Sequence, residues 1–410
     1  MTALAATTKK PGRGKPKRSL WWRIHQWAGL QLSLLLVFIL ATGTIATLSN
    51  EIDWLLTPAM RVTPEEGPIA SWGTIAASAQ AAAGDARIER VSAPLDAWFT
   101  AEVIAEKPDG KRFRIQVNPW TGAVQGYSPW FNAQRLFREL HRHLMLPAKW
   151  GIPIVTALSV PMLASLVTAF FVYKKWWRGF FRIPQRRPDR RNDGRRFTGD
   201  LHRFAGLWSL WFVALIALTG LWYLVEWAGG QAPVPRPPVE LERAVVEGPA
   251  LDRLVTLAGQ RYPDLKITSI YFPAEKPGGV IIMGQAEALL VRERANAVLV
   301  DPIRHAVAHQ VRGVDLTAHQ RISEAADPLH FGNWGGLATK LLWFACGVVL
   351  TGLAVTGVLI YALRLRQENS EQQKRGILSA MWNGMGLLAW PALVLVLVAL
   401  ALIPQKFSGG

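Results

Sequence analysis

The sequence predicts an all-α transmembrane bundle of about five helices, with two α+β modules inserted between the spans on one side of the membrane. Half of the 410 residues are hydrophobic, which is typical of a membrane protein. Five apolar runs are long enough to cross a bilayer. One helix outline and the long segment after it occur twice, which indicates an internal duplication.

The five predicted spans alternate with segments of different composition. The spans are residues 22–50, 150–174, 201–227, 335–362 and 381–404. The other segments are a basic tail, a first module, a basic loop, a second module and a short loop, at residues 1–21, 51–149, 175–200, 228–334 and 363–380. Both modules are long and mixed in polarity, so each is able to fold. The fifth span has no counterpart in the duplication.

Basic residues set the predicted orientation in the membrane. The tail contains "KKPGRGKPKR", and the loop between the second and third spans contains "YKKWWRGFFRIPQRRPDRRNDGRR". Both are predicted to be cytoplasmic, because cytoplasmic loops carry an excess of Lys and Arg. The N-terminus is then cytoplasmic, and the C-terminus and both modules lie outside. Most of the net charge of +17 comes from these basic cytoplasmic segments. The charge is therefore not evidence for nucleic-acid binding, although it allows contact with anionic lipid.

The first and third spans begin with the same outline. "HQWAGLQLSLLLVFILATG" starts at His25, and "HRFAGLWSLWFVALIALTG" starts 177 residues later at His202. In each, glycines follow the histidine at offsets of +4 and +18. On a straight helix an offset of 18 is five turns, so the histidine and the far glycine share one face, about 27 Å apart. Each helix would then place an imidazole near one leaflet and a bare backbone patch near the other.

Each module contains a hairpin pattern followed by a Leu-His pair. Residues 112–126 and 288–310 read as strand, turn and strand, with an Asn-Pro or Asp-Pro pair at the turn. The Leu-His pairs lie in "RELHRHL" at 138–144 and "ADPLHFG" at 326–332. A span follows in both cases, so each half repeats the order helix, module, Leu-His, helix.

Four of the eight histidines occupy equivalent places in the two halves. His25 and His202 stand at the cytoplasmic ends of the first and third spans, and His141 and His330 stand outside, before the second and fourth. They form two pairs, one at each leaflet. Two imidazoles from different helices are the axial ligands that a b-type haem requires. A histidine at a membrane interface is also a common amphipathic residue, so spacing alone leaves both interpretations open.

The glycines of the outline admit the same two interpretations. Gly29 and Gly206 lie one turn from the histidines, and Gly43 and Gly220 lie five turns away. A porphyrin needs small residues where its flat face approaches a backbone, but glycine in membrane helices also serves helix packing. Cys346 is the only cysteine, so a CxxCH attachment site is excluded and any haem would be held non-covalently.

Histidines outside the four equivalent positions offer alternatives. His143 is a second candidate for the place of His141; the two lie about 200° apart on a helix, so only one faces the core. His305, His309 and His319 lie close together in the sequence, either as a surface metal site or as solvated side chains.

These motifs resemble the PepSY-associated transmembrane family of bacterial inner-membrane proteins. The matching elements are the two "HxxAGL…TG" helices, the "NPWTG" hairpin at 118–122, and "LHRHL" and "LHFGNWGG" before the second and fourth spans. The resemblance covers residues 20–365. The second hairpin departs from the pattern, with "DPIRHA" where a Thr-Gly turn is expected.

The resemblance implies a fold, a location and a function. The modules would be PepSY-like and periplasmic, and the protein would lie in a bacterial inner membrane. Some members of the family are di-haem reductases that transfer electrons to ferric siderophores. By this resemblance His25 and His202 hold a cytoplasmic-side haem, and His141 and His330 hold a periplasmic-side haem. His141 is preferred over His143 because it matches the Leu-His-Arg position of the family.

We therefore expect a di-haem electron conduit that reduces a periplasmic acceptor, a ferric siderophore or another. No strand–GxGxxG–helix motif is present, so the electron donor is a quinol or a separate cytoplasmic reductase. The alternative is a non-catalytic, membrane-anchored binding or regulatory module, because PepSY-like domains also resemble domains that restrain peptidases. A transporter is disfavoured, since the spans carry few charges and no broken helix is expected.

Overall fold

The computed structural model describes residues 19–188, 193–234, 239–242, 246, 248–275, 278–368 and 376–408. Most of the predicted basic tail and part of the predicted loop 363–380 lie outside these residues. The α-helices are α1 Leu20–Leu30, α2 Ser33–Ala46, α3 Ser49–Leu56, α4 Trp72–Ala83, α5 Ala133–His143, α6 Ala148–Thr156, α7 Ser159–Val172, α8 Asp193–Trp208, α9 Leu210–Val225, α10 Gly248–Arg261, α11 Ala318–Phe331, α12 Gly336–Glu368, α13 Ile377–Met385, α14 Ala389–Ala401 and α15 Ile403–Ser408. The strands are β1 Arg87–Ser92, β2 Ala101–Glu106, β3 Arg112–Val117, β4 Val124–Pro129, β5 Lys266–Tyr271, β6 Val280–Gln285, β7 Ala297–Asp301 and β8 Ala306–Val311.

The described helices are long and apolar enough to form the predicted bundle. Four of them can cross a membrane by length and composition: Ala148–Val172, Leu210–Gly230, Gly336–Leu365 and Ile377–Phe407. The helix pair Leu20–Leu30 and Ser33–Ala46 makes a fifth if it counts as one span. This agrees with about five transmembrane helices.

The first span is not a straight helix. α1 and α2 meet at 61°, because Leu32 leaves the helical conformation with φ −108° and ψ 17°. His25 lies on α1 and Gly43 on α2, so the prediction that they share one face of a straight helix is wrong. The expectation that no span is broken is wrong here as well. The two segments pack against different neighbours, α1 against α7 and α2 against α12, and this accounts for the break.

The third span is interrupted at the equivalent residue. Ser209 lies 177 residues after Leu32 and separates α8 from α9, with φ −99° and ψ 7°. Its hydroxyl donates to the carbonyl of Ala205 at 2.7 Å, a back-bond that often bends helices. His202 therefore lies on α8, ahead of the candidate span Leu210–Gly230.

The helix bundle repeats its contacts in the two halves. α1 packs against α7, and α8 packs against α12. Beyond the breaks the partners exchange, so that α2 packs against α12 and α9 against α7. Leucine, isoleucine, phenylalanine and methionine side chains fill the space between these helices.

The two modules form one continuous antiparallel sheet. The strand order is β4-β3-β2-β1-β5-β6-β7-β8, so each module supplies four strands. The modules join where β1 pairs with β5, through Arg90–Tyr271, Val91–Ile270 and Ser92–Ser269. The helices α4 and α10 pack together and against this sheet. We call the end of the bundle that carries the sheet the sheet side, and the opposite end the far side.

Both predicted hairpins are present, as β3–β4 and β7–β8. The first turn is closed by the Asn118 side chain, which accepts from two backbone amides, and by Gly122 at φ +70°. The second turn has the same construction, with the Asp301 side chain in the same role. His305 occupies the left-handed position at φ 53°. The unexpected "DPIRHA" segment thus makes the same turn with a histidine in place of the glycine.

Candidate functional site

A cavity of about 1530 Å³ lies between the sheet and the sheet-side ends of the helices. Apolar side chains from α2, α7 and α9 line one part of it, including Ile39, Met162 and Ile216. Charged side chains from α5, α11, α12 and the sheet line the rest. His141 and His330 also line this cavity. Apolar walls with a few convergent polar groups are the common form of a ligand site.

The rings of His141 and His330 lie close together. α5 carries His141 and α11 carries His330. The ring centroids are 6.0 Å apart, and the ring planes are inclined by 39°. The structure therefore brings together the two histidines that the sequence pairs outside the membrane.

Hydrogen bonds fix one nitrogen of each of these rings. His141 Nδ1 lies 2.8 Å from the carbonyl oxygen of Ile39, which only accepts, so this nitrogen is the donor. His330 Nδ1 lies 2.8 Å from Thr219 Oγ1. The Thr219 hydroxyl donates to the carbonyl of Leu215 at 2.7 Å, so it accepts from the histidine. In both rings the proton is on Nδ1, and Nε2 keeps its lone pair.

Burial keeps this pair neutral. Removal from water lowers the pKa of His141 below its ordinary value. Burial, and then the neighbouring His141, lower the pKa of His330 to about 3. Neutral imidazoles are the form that binds metal ions.

The inner histidines are held in the same way at the far side. His25 Nδ1 lies 2.9 Å from the carbonyl oxygen of Ser165 and 3.1 Å from Thr168 Oγ1, both on α7. His202 Nδ1 lies 2.9 Å from Thr356 Oγ1 on α12. Both threonine hydroxyls donate to the carbonyl four residues earlier in their own helix, at 2.5 and 2.8 Å. They therefore accept from the imidazoles, and each Nε2 again keeps its lone pair. Each ring is bonded to its own partner helix.

The hydrogen bonds on Nδ1 prepare these four imidazoles for metal binding. An imidazole that donates its other N–H to a carbonyl or hydroxyl is the usual form of a metal-ligating histidine, because that bond fixes the tautomer and the ring orientation. Within the described ranges no group of three or more His, Cys, Asp or Glu side chains is placed to share a metal ion. The outer pair thus offers two imidazoles whose ring centroids are 6.0 Å apart, and each inner histidine offers one imidazole from a separate helix.

Sequence reasoning missed the threonines that hold the histidines. Thr168 and Thr356 both follow a valine and precede a tyrosine by five residues, Tyr173 and Tyr361. Thr219 stands directly before the glycine of the repeated outline. The repeats contain a signal that could have identified these threonines, because hydroxyl residues recur at equivalent positions in the apolar spans.

Only one of the far glycines of the outline lies against the outer pair. A Cβ at Gly43 would lie 2.5 Å from His141 Cε1 and 2.6 Å from its Nδ1, so a larger residue there displaces the ring. A Cβ at Gly220 would lie 3.2 Å from the Cβ of Ser159, a tight helix contact. The lack of a side chain at Gly43 thus leaves room for the His141 ring, whereas the lack of one at Gly220 lets a neighbouring helix pack closely.

The near glycines have more space. A Cβ at Gly29 would meet no described atom within 4 Å, and one at Gly206 would meet only Leu353 Cδ2 at 3.7 Å. Packing within the described residues therefore does not require glycine at either position.

The other histidines lie apart from the four. His143 has a buried Nδ1 without a hydrogen-bond partner in the described structure, and His141 is the one in ring contact with His330. His305 and His309 belong to the last hairpin, while His319 bonds the carbonyl of Gly230 through Nε2 at 3.0 Å.

A charged network adjoins the outer pair. The Tyr223 ring lies 5.4 Å from the His330 ring, and its hydroxyl donates to Asp327 at 2.8 Å. Arg292 donates to Asp327 and Glu324 at 3.1 and 2.8 Å. These contacts connect His330 to the charged part of the cavity.

Comparisons with known proteins identify the family. The chain matches the family described as "PepSY-associated TM region" over residues 22–364. No curated protein matches it. The matched range includes all four paired histidines, the sheet and the first four spans, and it agrees with the resemblance seen in the motifs. The chain belongs to the PepSY-associated transmembrane family.

Proposed function

We propose that this protein is an electron carrier of the bacterial inner membrane that holds two non-covalent b-type haems and reduces a periplasmic acceptor, a ferric siderophore. The sheet side is then periplasmic and the far side cytoplasmic. One observation carries the proposal: four histidines, two at the sheet side and two at the far side, each have Nδ1 bound to a carbonyl or threonine, which leaves the lone pair of Nε2 for a ligand. Such a bond on Nδ1 is what a ligating imidazole needs.

The residues present fit this cofactor. The ring centroids of His141 and His330 are 6.0 Å apart, so these two imidazoles would be the residues that hold the outer haem. The open space beside Gly29 and Gly206 suits a flat group near the inner pair. When bound, the haems would supply one-electron transfer between the two sides of the membrane.

The chain's own residues have defined tasks in this function. The threonines and the Ile39 carbonyl orient the imidazoles, and the apolar helices around them exclude water. The cavity beside the outer pair offers room for an acceptor, with Arg138, Arg142 and Lys340 among the cations that line it. An Fe(III) centre held by oxygen ligands gains one electron there and becomes Fe(II), which hard oxygen ligands hold less strongly. The electron comes from a quinol or from a separate cytoplasmic reductase.

The absorption spectrum and haem content of the purified protein test this proposal. We expect a sharp Soret band, distinct α and β bands on reduction, and two haems per chain. His141→Ala and His330→Ala should each lose the same haem. His143→Ala is the matched control, because it removes a histidine from the same helix, and it should keep both haems. A colourless preparation, or equal loss in His143→Ala and His141→Ala, would contradict the proposal and favour a non-catalytic membrane anchor.

A further inference from the structure

A second cavity, of about 550 Å³, lies at the far side of the bundle. Side chains of α1, α12 and α13 line it, and we call it the crevice. Its main lining residues are Trp22, Gln26, Trp27, Gln31, Tyr361 and Gly384. Its volume falls within the range of about 300–1,000 Å³ that is usual for sites of small organic ligands.

Close contacts of α13, at the start of the fifth span, help to form the crevice. A Cβ at Gly384 would lie 2.6 Å from Tyr361 Cε1, so glycine lets α13 approach the tyrosine ring. Gln31 donates to the carbonyl of Gly384 at 3.3 Å, which ties α1 to α13.

The crevice has the chemistry of a site for a substituted aromatic ring. The indole of Trp27 and the phenol ring of Tyr361 provide flat apolar surfaces, while the Trp22 ring carries the Arg364 guanidinium 4.8 Å from its centroid. Gln26 and Gln31 provide amide groups, and the tyrosine provides a hydroxyl, so hydrogen-bonding groups are available to two ring oxygens. Trp27 is 56% exposed on the outer surface of α1, which leaves the crevice open towards the lipid. A ring with two oxygens and an apolar tail matches these features.

The crevice also adjoins the inner histidines. His25 and Gln26 are neighbours on α1 and point about 100° apart. His25 turns towards α7, where it bonds Ser165, and Gln26 turns towards the crevice. Only the width of one helix therefore separates the crevice from the inner histidine.

We propose that the crevice binds a membrane quinol, which is the electron donor. This inference rests on the proposed function, in which the electrons of the quinol reduce the periplasmic acceptor. Oxidation of one quinol breaks its two O–H bonds and gives a quinone, two protons and two electrons. The protons pass to water at the far side, and the electrons reduce two ferric ions, one each.

Photoaffinity labelling tests the site without relying on activity. The full-length protein, in phosphatidylcholine nanodiscs, is irradiated with an azido-ubiquinone analogue, and labelled peptides are mapped by mass spectrometry. We expect labels on α1 and α13 that excess decylubiquinone removes. Gln26→Leu combined with Tyr361→Phe should weaken this competition about tenfold, the effect of losing two hydrogen bonds.

A matched pair of tryptophan variants provides the control. Trp27 lines the crevice and is 56% exposed, while Trp390 on α14 lies outside its lining and is 63% exposed. Trp27→Leu should lower the labelling and Trp390→Leu should not. Equal labelling of all lipid-facing helices, or labelling displaced by added phospholipid but not by decylubiquinone, would overturn the proposal and leave a lipid crevice. A haem-loaded protein without specific labelling refutes the quinol site alone, and a colourless protein that labels in the crevice refutes the proposed function alone.

Discussion

The bond between Thr219 and His330 gives the sharpest test of the outer site. Thr219→Val keeps the shape of the side chain and removes the hydroxyl that accepts from His330 Nδ1 at 2.8 Å. Thr219 is only 7% exposed, so the imidazole N–H loses its partner in an apolar surrounding. Such a loss costs about 1–3 kcal/mol. If the imidazole ligates haem, its affinity for that haem should fall by roughly 5- to 150-fold.

Haemin titration of the apoprotein, followed at the Soret band, measures this change. The midpoint potential of the outer haem should also rise, because an imidazole without this bond is a less basic ligand. Thr219→Ser restores the hydroxyl and should restore both values. Thr156→Val is the matched control: its hydroxyl makes the same type of back-bond, to Ile152 at 2.8 Å, and the residue lines the same cavity.

Two results would refute this reasoning. Equal affinities for Thr219→Val and Thr156→Val would mean that the bond to His330 has no part in holding a cofactor. A loss that falls on the inner haem instead would mean that His330 does not belong to the outer site.

Three further predictions follow from the geometry. His25→Ala and His202→Ala should each lose the same one of two haems, measured as haem per chain, and loss of different haems would refute their pairing. Gly43→Ala should displace the His141 ring, since its Cβ would lie 2.5 Å from that ring, and the spectrum of the outer haem should change while that of the inner haem stays constant. His305→Gly should raise the thermal unfolding midpoint, because a non-glycine residue at φ 53° costs about 1–2 kcal/mol; an unchanged midpoint would show that the turn carries no strain.

The duplication made much of the site predictable. His25 and His202 stand at equivalent offsets, and so do the Leu-His pairs at His141 and His330, so the sequence alone predicted two pairs of equivalent histidines. The structure adds the ring contact of the outer pair and the bonds to Nδ1. Those bonds depend on which helices meet, and helix periodicity carries no information on that.

The break at Leu32 shows another limit of sequence periodicity. A sufficiently long apolar run predicts one continuous helix. The hydrophobic pattern indicates contact with lipid, but it does not indicate which helix packs alongside. The direction of α1 and α2 is instead set by packing, first against α7 and then against α12. The pairing of β1 with β5 was not predicted for a similar reason. The sequence of an edge strand does not indicate which strand it will pair with.

The hydrogen bonds that hold the four paired histidines and the ring contact of the outer pair are distributed differently between the two halves of the chain. Each of the four paired histidines is fixed by a residue of its own half: His25 by Thr168 and His141 by Ile39 in the first, His202 by Thr356 and His330 by Thr219 in the second. The ring contact between His141 and His330, by contrast, crosses from one half to the other. A single half therefore prepares two oriented imidazoles but completes no pair. The exchange of partners beyond the breaks, with α2 against α12 and α9 against α7, and the pairing of β1 with β5 hold the halves together. The contact between the two outer imidazoles arises only where those halves meet.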